Sequence, residues 1–223
     1  MGESQAMGGK PGMGLNSAPN DNPLTGRREL NKQDKLQRLR AAAQTLFIRK
    51  GFDETTVREI AREAGVGLGT LFSYSLNKRD LLFLIGNEGL QLVADLAAQS
   101  ISPNRSLKWN LRAIFAPHYA FFMREGSLGR DVLREMTFYE QGPQAQHFRA
   151  IRVDVLATIR QALQFAVSKG EIATKRPLKE EAWVIFAIYQ VELRNWLSGE
   201  EPDLEDGLAR LQKSLQICIR GLG

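Results

Sequence analysis

Hydrophobic positions recur with the period of an α-helix along most of the chain. From Asp34 to Lys50 the apolar side chains share one helical face, namely Leu36, Leu39, Ala43, Leu46 and Phe47. A stripe with the same spacing lies between residues 143 and 168, at Phe148, Ile151, Val155, Ile159, Ala162 and Ala166. No convincing alternation at the strand period is found. The pattern therefore predicts an all-α protein.

Start and stop residues divide this pattern into about nine helices. Thr56 and Glu59 form a Thr-x-x-Glu capping box, and Gly65 ends the helix that this box begins. Asn77 caps a later helix, and Pro117 predicts a kink within another. The predicted helices span residues 34–50, 56–64, 67–74, 77–100, 106–124, 127–138, 143–168, 178–198 and 203–220. Residues 1–26 are rich in Gly, Pro, Ser and Asn, which predicts a disordered tail.

The positive charge of the chain is concentrated near the N-terminus. Residues 27–80 carry twelve Lys and Arg against seven Asp and Glu, and this excess of +5 equals the net charge of all 223 residues. A polyanion such as DNA would be attracted to this block rather than to the remainder. The alternative is a basic helical face that only meets solvent.

Two short helices in the basic block have the spacing of a helix-turn-helix. Residues 56–64 and 67–74 are joined by a tight turn at Gly65 and Val66. Ile60 and Ala61 of the first helix would be buried, with Val66 and Leu71 packed beneath the second. The second helix would then project outward the side chains that read a major groove. The alternative is an ordinary helical hairpin within a bundle.

The same stretch resembles the DNA-binding signature of the TetR family of transcription regulators. The motif reads TTVREIAREAGVGLGTLFSYSLNKRDLL and is preceded by RAAAQTLFIRKGF, which resembles the first helix of that family. The matching positions are Thr56, Ile60, Ala61, Ala64, Gly65, Val66, Gly69, Thr70, Leu71, Tyr74, Lys78 and Leu81. The resemblance covers roughly residues 35–85. It implies a three-helix DNA-binding domain over 27–82 and a helical ligand-binding and dimerisation domain over 83–223.

The resemblance also implies which residues meet DNA. The predicted contacts are Arg27, Arg28, Thr56, Arg58, Gly67, Leu68, Gly69, Thr70, Phe72, Ser73, Tyr74 and Lys78. Gly69 would let the helix approach the phosphate backbone closely, and Lys78 would contact a phosphate. Three positions depart from the family pattern. Phe72 replaces the usual tyrosine, Ser75 replaces the usual aromatic residue, and Gly67 is a weaker cap than serine.

The family normally binds a small effector in its C-terminal domain. A set of large side chains there could line a mainly apolar pocket, namely Trp109, Phe115, Tyr119, Phe122, Met136, Phe148, Trp183, Phe186 and Tyr189. These positions favour a hydrophobic or aromatic effector. The alternative is that the same side chains are plain core.

The last predicted helix carries a seam of residues spaced alternately by four and three. It consists of Leu204, Leu208, Leu211, Leu215, Cys218 and Leu222. Such a seam suits packing of helix on helix and, with the family resemblance, predicts a homodimer interface. Packing within one subunit is the alternative. Cys218 is interpreted as a small buried apolar residue, with a redox switch as the alternative.

Other classes of protein are disfavoured by the sequence. His118 and His147 lie on different predicted helices without partners at metal-ligand spacing, and neither a nucleophile elbow nor a phosphate loop is found. No enzyme activity, metal or cofactor is therefore expected. With no signal peptide, no stretch judged long and apolar enough to span a membrane and one cysteine, the sequence indicates a cytoplasmic protein.

Together these features predict a DNA-binding regulator of transcription. The resemblance implies a repressor that a small effector releases from a palindromic operator on double-stranded DNA. Two alternatives stay open. One is an effector-independent DNA-binding protein in chromosome organisation, and the other is a protein-interaction bundle that does not bind DNA.

Overall fold

The computed structural model describes the backbone of residues 23–220, and every regular element in this part of the chain is an α-helix. The side chains of residues 23–26, Arg28 and Arg220 are not among those described. The helices are α1 (Pro23–Lys50), α2 (Val57–Glu63), α3 (Leu68–Phe72), α4 (Lys78–Ser100), α5 (Leu107–Glu135), α6 (Pro143–Ser168), α7 (Leu178–Leu197) and α8 (Leu204–Arg220). The predicted all-α class is confirmed.

The chain divides into two units, residues 1–34 and residues 35–223. In the first, the described part is the beginning of α1, where Glu29 and Lys32 form an exposed ion pair at 3.8 Å. The helix begins at Pro23, earlier than the amphipathic pattern indicated, and proline is common at the first helical position. Most of the predicted disordered tail, residues 1–22, lies outside the described residues.

In the second unit the predicted caps set the ends of α2. The Glu59 backbone N–H donates to the Thr56 hydroxyl at 3.2 Å, and the Thr56 N–H donates to the Glu59 carboxylate at 2.9 Å. This reciprocal pair confirms the capping box. After α2, Gly65 takes a φ of 63°, a left-handed conformation that glycine adopts without steric cost. The Val66 N–H then bonds the Ala61 carbonyl at 3.0 Å, which closes the tight turn into α3.

Helix α5 accounts for the difference between eight observed helices and the nine predicted. Residues 107–135 are counted as one helix, but the predicted helices 106–124 and 127–138 meet within it at a kink. Its non-helical backbone angles fall at Gly126, with φ 55° and ψ −119°, and not at Pro117. A side chain would be strained in this conformation, so glycine locates the break.

Helix α4 runs through the protein interior. Leu81, Leu82 and Phe83 are fully buried, and α4 packs mainly against α5 and α6. Contrary to the expectation from sequence, α4 is long and apolar enough to cross a membrane by length and composition alone. However, 56% of that window is buried within the protein. This burial is typical of a core helix.

Candidate nucleic-acid interface

Helix α3 is held by one buried side chain and exposes most of the rest. Leu71 is fully buried, whereas Leu68 and Phe72 are 36% and 46% exposed. Gly67, at the N-cap, makes no side-chain hydrogen bond to the helix, because glycine has no side chain. The helix therefore offers solvent a surface of small and apolar groups without a cation.

The predicted reading residues do not all share this surface equally. Gly69 and Ser73 are exposed, and Thr70 is half-buried. Space around Gly69 is open, since no neighbouring atom lies within 4 Å of the point where a side-chain carbon would stand. Tyr74 is half-buried and packs against the hydrophobic core. The geometry thus leaves Leu68, Gly69 and Ser73 more accessible to a ligand than Tyr74.

Residues flanking α3 supply charge to the same region of the chain. Arg58 is exposed on α2. Lys50, at the end of α1, donates to the Glu59 carboxylate at 2.5 Å. This ion pair, with bonds from Thr56, lowers the pKa of Glu59 to about 2. The Thr56 hydroxyl is exposed but also bonded to Glu59, so in this structure it serves the cap. Arg27 is exposed on the first part of α1.

Lys78 is bound to the protein itself. Its ammonium donates to the Phe52 carbonyl at 2.6 Å and to the Asp53 carbonyl at 2.9 Å. It also lies 4.5 Å from the centre of the Phe52 ring. Lys78 therefore fastens the start of α4 to the turn between α1 and α2. A phosphate contact, which the sequence predicted, would have to share or displace these bonds.

The turn is also clamped from the far end of α5. The Arg134 guanidinium donates to both carboxylate oxygens of Asp53, at 2.9 and 3.1 Å. It lies 5.6 Å from the centre of the Phe52 ring. A bidentate pair of this kind fixes orientation better than a single contact does. The larger helical domain thus directly contacts the turn between α1 and α2 of the helix-turn-helix domain.

A buried carboxylate makes the second connection between these domains. Asp80, in the first turn of α4, is fully buried. It accepts hydrogen bonds from the Tyr139 hydroxyl, from the Leu76 N–H at 3.1 Å and from the Gln144 N–H at 3.1 Å. Gly142 completes this arrangement, because a side-chain carbon there would lie 2.6 Å from the Asp80 carboxylate. Asp80 therefore ties the loop after α3 to the loop between α5 and α6.

The predicted pocket-lining aromatics are mostly packed against one another. Phe115, Tyr119, Phe122 and Tyr189 are at most 2% exposed, and the Phe115 and Tyr189 rings stack at 4.6 Å. Phe148 is also buried. These five residues take the core positions that the sequence left open as the alternative.

The other four members of the predicted pocket are less enclosed. Met136 and Phe186 are partly buried against the core. Trp109 is 41% exposed and Trp183 is 52% exposed. Trp183 lines a cavity of about 580 Å³ between α6 and α7. The nine side chains are therefore spread over core and surface.

A second cavity, of about 360 Å³, lies between α1, α4 and α5. Its lining includes Arg40 and Gln44 of α1, which belongs to the helix-turn-helix domain, and Arg124 of α5. None of the nine side chains listed above as predicted pocket residues is part of it, although Phe121 of the same predicted aromatic helix is. The sequence signal that marks this cavity is the group of glycines at 86, 89, 126 and 129, which thins the facing helices.

Most of the predicted dimer seam is buried within the single chain. Leu208, Leu211 and Leu215 are at most 4% exposed and pack α8 against α5 and α7. Leu204 and Cys218 are half-buried, and burial raises the pKa of the Cys218 thiol. Leu222 lies outside the described residues. Leu208, Leu211 and Leu215 therefore pack within one subunit, which was the alternative to a dimer interface.

The opposite faces of α7 and α8 leave apolar side chains in solvent. Trp183, Val184 and Val191 on α7 are 42–55% exposed, and Ile217 on α8 is 69% exposed.

Among the side chains that the structure describes, no group of three or more His, Cys, Asp or Glu residues could hold a metal ion.

Residues 39–85 match the sequence model of a family described as bacterial regulatory proteins, tetR family. The match spans the end of α1, the capped α2, the Gly65 turn, α3 and the start of α4. Over these residues the chain belongs to the TetR family. The family resemblance predicted from the motif at 55–82 is thereby confirmed.

Two curated regulators resemble most of the chain. The fatty acid metabolism regulator protein of Bacillus subtilis (strain 168) is 20% identical over 192 residues, which cover 86% of this chain and 97% of that protein. The HTH-type transcriptional repressor BepR of Brucella suis biovar 1 (strain 1330) is 27% identical over 166 residues, covering 72% and 79%. Both relatives are named as regulators rather than as enzymes.

Solved structures support the fold over the same length. FadR of Bacillus subtilis, in complex with stearoyl-CoA, is 20% identical, with a TM-score of 0.64 and coverage of 84% of this chain and 99% of that one. FadR of Thermus thermophilus, in complex with lauroyl-CoA, is 24% identical, with a TM-score of 0.62 and coverage of 81% and 93%. The likeness shows that the helical domain after α3 also has the TetR-family fold.

The departures from the TetR-family motif have distinct structural consequences. Phe72 is exposed and cannot donate the hydrogen bond of a tyrosine hydroxyl. Ser75, where the family usually has an aromatic residue, is 1% exposed and its hydroxyl has no hydrogen-bond partner. The first departure changes the surface available to DNA, and the second changes the packing beneath it.

Proposed function

We propose that the protein is a transcriptional repressor that binds a palindromic operator through α3 and is released by a small, mainly hydrophobic effector. DNA binding is supported by one structural unit within the residues that match the family. This unit consists of the capped α2, the turn at Gly65 and the exposed α3. The basic block at 27–80 supplies the attraction to phosphate. The regulator names of the relatives favour this function over a role in chromosome organisation.

Within this proposal the DNA contacts divide by their accessibility. Leu68, Gly69, Thr70 and Ser73 would meet base edges or the adjacent backbone, with Leu68 suited to a thymine methyl group. Arg58 and the α1 residues Arg27 and Arg28 would contact phosphate, and Phe72 would add an apolar contact. Thr56 and Gly67 would support α3 from its flanks, and Tyr74 would contribute by its exposed edge.

The DNA-binding proposal is tested by placing a negative charge on the reading surface. Gly69→Glu suits this test because space at Gly69 is open and its backbone is helical. Operator sites would first be selected from random duplexes, and affinities then measured by fluorescence anisotropy over a salt series. The added carboxylate should weaken binding by about tenfold or more, because it approaches the phosphates. The matched control is Gln161→Glu, which adds the same charge to the exposed face of α6.

Two outcomes of this experiment would contradict the proposal. One is salt-insensitive or undetectable binding of the wild-type protein to duplex DNA. The other is equal loss of affinity in Gly69→Glu and Gln161→Glu, which would place α3 outside the interface. A circular dichroism spectrum of each variant establishes that the helices are retained.

The effector and the subunit partner are further parts of the same proposal. An acyl chain with an anionic head is the effector class that we favour, because two FadR relatives are named as complexes with stearoyl-CoA and lauroyl-CoA. The exposed apolar face of Trp183, Val184 and Val191 on α7 with Ile217 on α8 favours a homodimer, since apolar faces of this kind pair with a second copy. Such a protein would act on DNA in the bacterial cytoplasm.

A further inference from the structure

We infer that the 360 Å³ cavity between α1, α4 and α5 is the effector site and that it takes an amphipathic anion, an apolar chain with a negatively charged head. This inference rests on the proposed ligand-responsive function and names the site at which the ligand acts. The volume falls within the range of about 300–1,000 Å³ that is typical of small-molecule pockets.

The floor of the cavity suits an apolar chain. It is formed by Ile85 of α4 and by Phe121, Leu128 and Val132 of α5, all at most 6% exposed. Leu92 of α4 lines the mouth and is 57% exposed. Burial of a ligand against these side chains would remove apolar surface from water on both sides of the contact.

Glycines give the cavity its shape. The edge of the Phe121 ring occupies the space in which a side-chain carbon of Gly89 would stand, so only a glycine leaves room for this ring. On the facing helix, the backbone break at Gly126 lies between the lining residues Glu125 and Leu128. A helix interrupted at the wall of a cavity is a frequent feature of functional sites.

The rim of the cavity suits an anionic head. Arg40 of α1 and Arg124 of α5 both line it, so two helices each contribute a guanidinium group. Each is paired with a carboxylate, Arg40 with Glu88 of α4 and Arg124 with its neighbour Glu125. The Glu88 side chain is 64% exposed, and ion pairs exposed in this way contribute little to stability. A ligand carboxylate or phosphate can therefore compete for the same arginines.

Competition for Arg40 would couple the ligand to DNA binding. The Arg40–Glu88 ion pair joins α1 of the helix-turn-helix domain to α4. A head group that takes Arg40 breaks this connection, while the apolar chain enters between α1, α4 and α5. The larger cavity between α6 and α7 has no direct contact of this kind, because none of its lining residues belongs to the helix-turn-helix domain.

The test compares three tryptophan substitutions at exposed positions of the full-length protein. Leu92→Trp fills the mouth of the cavity. Leu96→Trp is its matched control, since Leu96 is 45% exposed on the same helix and does not line the cavity. Val153→Trp fills the competing cavity, which the 61% exposed Val153 lines. Binding of lauroyl-CoA and of dodecanoate is measured by calorimetry, and the two ligands distinguish a coenzyme head from a free carboxylate.

Leu92→Trp should weaken binding by about tenfold or more, since its ring excludes the acyl chain, and the other two variants should bind like the wild type. Loss in Val153→Trp with retention in Leu92→Trp would overturn the assignment, as would a wild type that binds neither lauroyl-CoA nor dodecanoate. Operator affinity is measured on the same preparations without ligand. Failure of the effector site is thereby distinguished from failure of the DNA-binding function.

A second variant tests the competition itself. Glu88→Gln removes the carboxylate that occupies Arg40, so the anion should bind more tightly by about two- to fivefold, the range that corresponds to an exposed ion pair. Glu180→Gln is the control, because Glu180 is exposed and lines the other cavity. Unchanged or weaker binding in Glu88→Gln would overturn the exchange at Arg40.

Discussion

Protonation of His118 should destabilise the fold as the pH falls below neutrality. His118 lies on α5 and is 3% exposed, and its Nδ1–H donates to the Ile114 carbonyl at 3.0 Å. Burial lowers the pKa of this imidazole to about 4. The neighbouring ring of Tyr189 does not compensate, because burial raises the pKa of its hydroxyl and keeps it neutral.

The magnitude follows from the difference in pKa between the folded and unfolded chains. The unfolded histidine, with a pKa of about 6.5, binds a proton at a higher pH than the folded one does. The contribution of neutral His118 to the free energy of unfolding is therefore present above about pH 6.5 and is lost as the pH drops towards the pKa of the folded state. Between pH 7 and pH 5 this single group should lower the free energy of unfolding by about 2 kcal/mol.

Urea denaturation of His118→Asn isolates this contribution. Asparagine cannot be protonated but keeps an N–H donor for the Ile114 carbonyl, so the variant should lose most of the fall in stability that the wild type shows. The control is His147→Asn, because His147 is the other histidine of the chain and is exposed. Protein concentration is held fixed to exclude effects of association. Equal dependence on pH in wild type and His118→Asn would refute the argument.

Four further substitutions test the contacts and the apolar surface described above. Lys78→Met should weaken binding to cognate and scrambled duplexes alike and also lower the Tm, since the ammonium fastens the turn after α1; an unchanged Tm would contradict that role. Tyr139→Phe should lower the free energy of unfolding by about 1–3 kcal/mol in urea titrations, because it removes a donor from buried Asp80; no loss would show the bond to be unimportant. In analytical ultracentrifugation Val184→Glu should give a folded monomer. Circular dichroism should instead show Leu211→Glu to be partly unfolded, because Leu211 is buried within the chain. A wild-type protein that sediments as a monomer would contradict the proposed dimer.

The helix-turn-helix was predictable from sequence because its determinants are local. The Thr56 capping box and the left-handed Gly65 involve residues only a few positions apart, and both are found as predicted. The burial of Leu71 also follows from helical spacing. The predicted length of α3 was less accurate, since the regular helix spans Leu68–Phe72 and the predicted one spanned 67–74. Fraying ends depend on single hydrogen bonds and are therefore less strongly encoded.

The connections between the domains were not predictable in the same way. Arg134 and Asp53 are 81 positions apart, and Asp80 and Tyr139 are 59 apart. Nothing in the local pattern around Asp80 distinguishes a buried carboxylate from an ordinary acidic residue in a first helical turn. The seam of α8 was ambiguous for a related reason, because an apolar stripe has the same spacing whether its partner is in the same subunit or in another.

The same long-range contacts explain why a ligand far from α3 could alter DNA binding. Arg134 and Asp80 fix the turn after α1 and the loop after α3 to the helical domain, so these parts of the reading head follow α4 and the end of α5. Arg40 fixes α1 to α4 at a separate point. A ligand that displaces only the Arg40 contact leaves the other two in place. The expected response is therefore a change in the direction of the reading head about its attachment at Asp53 and Asp80, rather than unfolding of the helix-turn-helix.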